Sequence, residues 1–114
     1  NLTQLNANRH KQMIIYNTTF LVMDAVRDDF LAWVRSVYVP RATQGRMLVA
    51  PTLARVMGSA EDGAESYALQ FRAHSLESLQ EWKATIGESL TADMTRRYGN
   101  AVMGFSTMMD KIEL

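Results

Sequence analysis

Few of the 114 residues could do chemistry, and they lie far apart in the sequence. Cysteine is absent, which removes disulfides, thiolate metal sites and thiol nucleophiles together. The two histidines, His10 and His74, are widely separated, and neither has a carboxylate at ligand spacing, so no metal site is expected. No phosphate-cradling glycine loop, GxSxG turn or helical HExxH motif occurs. Asp28, Asp29, Glu77 and Glu81 read as solvated helix faces rather than as an acid–base pair. What remains is a small set of polar residues among apolar ones: Asn17, Thr19, Tyr38, Gln70, Arg72 and His74.

A few convergent polar groups in an apolar cavity are what orient a small ligand. Asn17 and Thr19 interrupt the apolar run Ile14–Met23, and could either orient a ligand or hydrogen-bond across strands or to trapped water. Gln70 and Arg72 alternate with Leu69 and Phe71. Turned inward, Arg72 needs a partner or an anionic ligand; turned outward, it is a solvated surface residue. Tyr38 sits at a helix end and is a candidate for a pocket mouth. His74, just ahead of Ser75, is a candidate general base or an ordinary loop residue beside a helix cap. No cofactor is expected.

These residues must be positioned by a short series of elements. Ile14 to Met23 is β-branched and aromatic, without Gly or Pro, and predicts a strand. Asp24 is the expected cap of a helix carrying Val26, Phe30, Trp33, Val34 and Val37 on one stripe, which Pro40 should end. Arg46 to Met57 predicts a second strand, and Pro51 confines it to a sheet edge. Residues 58–63 form a turn by composition. Ser66 to Ala73 predicts a third strand with Tyr67, Leu69 and Phe71 on one face. Ser75 then caps a helix with Leu76, Leu79, Trp82, Ile86, Leu90 and Met94 as its apolar stripe. Gly87 in its middle predicts a kink or break. Arg96 and Arg97 suit its last turn and Gly99 its stop. Ala101 to Leu114 is the last strand. Trp33 and Trp82 lie on the apolar stripes and should pack in the core.

The order βαββαβ is that of an α+β, ferredoxin-like fold: a four-stranded antiparallel sheet with both helices on one face. Length and composition agree. One domain over residues 13–114 has ample sequence for a core, and 47% hydrophobic residues exclude a disordered chain. Residues 1–12 read as a leader or cloning remnant ahead of Met13. Twelve basic and twelve acidic residues cancel, which argues against nucleic acid as a partner. No apolar run is long enough for a membrane span or a secretory signal, so cytoplasmic residence is the expectation.

Two helices shield one face of a sheet, yet both faces are apolar in part. Ile14, Tyr16, Phe20 and Val22 alternate with Ile15, Leu21 and Met23; Met103, Phe105 and Met109 alternate with Val102, Met108 and Ile112. A last strand of fourteen residues would also span about 46 Å and overhang a helical layer of about 21 Å. A two-fold partner would cover the open face and receive the overhang, so a homodimer is expected, with a small apolar ligand between sheet and partner. The functions in view are small-molecule binding, a cofactor-independent monooxygenase or isomerase acting on an apolar or aromatic substrate, and an interaction module with a filled interior.

Met13-Ile14-Ile15-Tyr16-Asn17, Trp33 with Val39-Pro40, Tyr67-Ala68-Leu69-Gln70-Phe71, Arg97-Tyr98-Gly99 and Phe105-Ser106-Thr107 together resemble an uncharacterised bacterial family about a hundred residues long, a domain of unknown function. The resemblance implies membership of the dimeric α+β barrel superfamily, which also holds antibiotic-biosynthesis-type and haem-degrading monooxygenases. It implies, too, a histidine before Val39-Pro40 and an arginine at position 106 in many relatives. Here Tyr38 and Ser106 stand there, so no role carries over to them.

Overall fold

A computed structural model describes residues 12–58 and 63–114. The leader through residue 11, with His10, and the tip of the 58–63 turn lie outside the described residues.

Strand β1, Ile14–Met23, forms where the sequence predicts it and takes the centre of the sheet. Strand β2 is Val49–Arg55, β3 is Ala64–Ala73 and β4 is Val102–Asp110. The order is β2-β3-β1-β4, antiparallel throughout, so β2 and β4 are the edges. Pro51 therefore sits on an edge, beside a register shift between Val49 and Thr52. Ala50 takes a left-handed φ of 54° within that bulge, which frees the ladder of a proline that can donate nothing. β2 is shorter than expected at both ends.

Two helical arms lie on one face. The first comprises a 3₁₀ turn at Asp24–Val26, helix α1 at Arg27–Trp33, a π-turn at Val34–Tyr38 and helix α2 at Val39–Ala42. Asp24 is not the cap: its amide donates to the Gly63 carbonyl at 2.9 Å, so the chain turns one residue earlier and Met23 takes the capping position. Pro40 does not end the helix either. In the wider π-turn the Val39 N–H reaches back five residues to the Val34 carbonyl. Pro40 then falls in the first turn of α2, where a missing N–H costs little.

The second arm is helix α3 at Leu76–Trp82, a π-turn at Lys83–Gly87 and helix α4 at Glu88–Tyr98. Ser75 caps it as expected, its Oγ accepting from the Ser78 amide at 3.1 Å. The break expected at Gly87 is this π-turn, which widens the helix without stopping it. A Cβ at Gly87 would stand 2.7 Å from the Trp82 ring, so glycine is what lets the indole fold back across the turn. Gly99, at φ 55°, ends the arm.

The core lies between these arms and one face of the sheet. Tyr16, Phe20 and Val22 of β1 and Tyr67, Leu69 and Phe71 of β3 meet Phe30, Trp33, Leu79, Trp82 and Leu90. The alternation predicted for β1 and β3 holds, and both tryptophans are buried. The last strand differs from expectation. It stops at Asp110 and pairs with β1 along its length, so it is shorter than the fourteen residues expected. The missing cover is lateral: from Met103 to Asp110 every residue of β4 is exposed, on both faces of the sheet.

Candidate functional site

On the helix-covered face, Thr18 is the polar interruption in the β1 row Ile14, Tyr16, Phe20, Val22, and it is only 7% exposed. The register places it opposite Ser106 of β4. The two hydroxyl oxygens are 2.9 Å apart, and the Tyr16 phenol donates to Ser106 Oγ at 3.1 Å. Three hydroxyls thus satisfy one another on a floor that would otherwise be apolar.

The two π-turns stand above this floor. Tyr38, the last residue of the first, packs edge-on against Phe20 and Trp33, with ring centroids at 6.0 and 5.6 Å. Trp82, immediately before the second, lies edge-on to Tyr16 at 5.6 Å and donates through Nε1 to the Ala42 carbonyl at 2.8 Å. That bond ties the second arm to the end of the first. Lys83 opens the second π-turn and holds its Nζ 5.9 Å from the centroid of the Tyr16 ring.

Between the second arm and the β1–β4 half of the sheet these side chains line a cavity of about 730 Å³ that opens to solvent along the exposed edge strand β4. Its walls include Tyr16, Thr18, Phe20, Tyr38 and Trp82, with Lys83, Glu88, Thr91 and Thr95 along the helical arm. Gly104 and Ser106 of β4 complete the sheet side. A Cβ at Gly104 would come within 3.2 Å of the Phe20 ring, so this strand approaches closely only because a glycine is there.

Burial holds the Tyr38 phenol well above the ordinary tyrosine range, and the neighbouring Tyr16 phenol acts the same way. Tyr38 is therefore neutral, and neither a base nor a nucleophile, at any physiological pH. The cavity offers hydroxyl donors and acceptors, aromatic edges, one ammonium and one carboxylate. Among the described residues no cluster of histidine and acidic side chains could hold a metal ion.

Of the residues singled out from the sequence, Tyr38 alone lines this cavity. Asn17, Thr19, Gln70 and Arg72 point to the opposite, open face, by strand alternation. There Thr52, Gln70, Asn17 and Thr107 form a polar row across all four strands. Asn17 Nδ2 donates to Thr19 Oγ1 at 3.1 Å, while Asn17 Oδ1 is buried without a partner. Arg72 is exposed beside Ile15 and Val49, and His74 is exposed past the end of β3. Tyr16, Thr18, Lys83 and Ser106 escape a reading of the sequence that favours polar residues on the less apolar face. The available signal was Thr18 itself, a hydroxyl in the middle of a row of large apolar side chains.

Fold and cavity together define a class: ferredoxin-like α+β proteins with a hollow between helices and sheet. The chain belongs to the family described as a domain of unknown function, DUF4286, which matches residues 13–112. No curated protein matches the sequence. Among solved structures it is similar to a proposed antibiotic biosynthesis monooxygenase from Caulobacter crescentus, at 17% identity and a TM-score of 0.67, covering 96% of this chain and 99% of that one. A second proposed antibiotic biosynthesis monooxygenase, from Bordetella bronchiseptica, has 15% identity and a TM-score of 0.67, with 90% and 100% covered. A dimeric ferredoxin-like protein of unknown function from Thermobifida fusca has 12% identity and a TM-score of 0.61, with 87% and 92% covered. At these identities the likeness is one of fold.

Proposed function

We propose that the protein is a homodimeric small-molecule-binding domain whose ligand occupies the cavity between the second helical arm and β1–β4. The observation that carries this reading is the pair of π-turns. Each interrupts its helix at the level of the cavity, and each contributes lining residues, Tyr38 from one and Lys83 and Gly87 from the other. π-turns are costly and concentrate where function requires them. A volume of about 730 Å³ suits a drug-sized ligand and speaks against an interaction module with a filled interior.

The homodimer is supported by the exposed apolar side chains of Met103, Phe105 and Met109 on the uncovered face, and by a related fold described as dimeric. Asn17, Thr19 and Gln70 then belong to the surface facing the partner. The alternative is a cofactor-independent monooxygenase or isomerase on an apolar or aromatic substrate. Its support is that two similar structures are named as monooxygenases. Against it, neither Arg72 nor His74 reaches the cavity, and Tyr38 stays protonated.

Native mass spectrometry of protein purified from its own cells tests the proposal. The expected result is a dimer carrying a small molecule that is released on unfolding. A monomer with no adduct, which also fails to bind apolar probes, would sink it.

A further inference from the structure

The rim of the cavity carries one cation, Lys83, and one carboxylate, Glu88, both exposed. They occupy the first position of the π-turn and the first residue of α4. Lys83 forms no ion pair with any described carboxylate. Its ammonium instead lies over the face of Tyr16, whose own hydroxyl is committed to Ser106. A cation held over an aromatic face, beside an apolar hollow and without a counter-charge, lacks one partner that a ligand can bring. The hydroxyls of Thr18 and Ser106 are turned on each other, which leaves the floor suited to an uncharged body.

Resting on the cavity-binding reading above, we propose that the ligand is a monoanionic amphiphile: an apolar, ring-sized body lying in the hollow lined by Tyr16, Phe20 and Trp82, with one carboxylate or ionised phenol against Lys83 Nζ. Glu88, on the same rim, limits the ligand to a single negative charge, because a second anionic group would meet it.

Two probes of nearly equal shape separate this from simple apolar binding: 2-naphthoate, which is charged, and 2-naphthamide, which is not. Each is titrated onto the full chain and read by quenching of tryptophan fluorescence. The carboxylate should bind about ten-fold tighter than the amide at low salt, in line with one charge-assisted contact. Lys83→Met keeps the apolar stem, and should bring the two probes to equal affinity. Glu88→Gln should widen the carboxylate's advantage over the amide a further few-fold. Equal affinities for the two probes, or a preference that survives Lys83→Met, would overturn the anion inference while the cavity reading stands. Failure of both probes to bind would overturn the cavity reading, and this inference with it.

Discussion

At the scale of single residues, three hydroxyls, those of Tyr16, Thr18 and Ser106, satisfy one another on the floor of the cavity. Tyr38 has the plainest consequence. Its folded-state pKa is raised above the unfolded value of about 10, because burial disfavours the phenolate. The native state therefore keeps a proton that the unfolded chain releases above that pH. The stabilisation is fully present below about pH 10 and is lost as pH rises through the folded pKa. Its slope is on the order of 1 kcal/mol per pH unit. Chemical denaturation between pH 8 and 11 should show this decline, and Tyr38→Phe should lessen it, the remainder coming from Tyr67 and Tyr98, whose phenol pKa values burial also raises; an unchanged slope in the variant would show that Tyr38 is not a source. Ser106→Ala removes the shared partner of Tyr16 and Thr18, leaving two hydroxyls facing an apolar hollow. The expected cost is about 1–2 kcal/mol by thermal melting. A sequence reading finds Tyr38 because a tyrosine beside Val-Pro is conspicuous. It passes over Thr18 and Ser106, because their importance comes from the register that sets them opposite each other, 88 positions apart.

At the scale of elements, the strands were largely legible and the helices only half so. Period-two alternation in β1 and β3 identifies which side chains are buried, since each face of a strand meets a different medium. Pro51 likewise told its strand to be an edge. Pro40 was the misleading mark, whereas Gly87 marked an irregularity without revealing its kind. Both ordinarily break helices, and here both sit at π-turns, where one extra residue per turn absorbs the missing hydrogen bond or the crowded indole. No residue-by-residue propensity encodes that widening, because it is a response to packing against the other arm. Gly87→Ala tests the point. Its backbone is helical, so alanine should gain about 1 kcal/mol from propensity. Yet the new Cβ would press on Trp82, and overpacking typically costs about 1–3 kcal/mol. The net expectation is a lowered melting temperature, and in a Trp82→Leu background, itself less stable, the same substitution should no longer lower it. A stabilised single variant would mean that the indole moves aside freely.

For the whole molecule, the sheet is the thing to watch, because among the described residues helices cover one of its sides and none covers the other. Phe105, 65% exposed, stands with Met103 and Met109 on the bare side. If the proposed homodimer forms through this side, Phe105→Asp should shift the sedimentation behaviour from dimer to monomer at micromolar concentration while preserving the circular dichroism of the fold. A variant that still sediments as a dimer would locate the contact elsewhere. The number and order of elements, and the surplus of apolar strand surface, could be read in advance from the sequence. The position of the hollow could not, because it depends on which side of the sheet the glycines and π-turns leave unfilled.

The ladder between β1 and β4 is closed at its far end by the Lys111 amide, 2.8 Å from the Met13 carbonyl. Handles attached at those two positions would tug across the strands, so the cross-links would open in succession like a zip, never together in shear. In an optical trap the protein should accordingly yield at low force when held at 13 and 111. It should resist far more when held at 13 and 102, where the same rungs share the load.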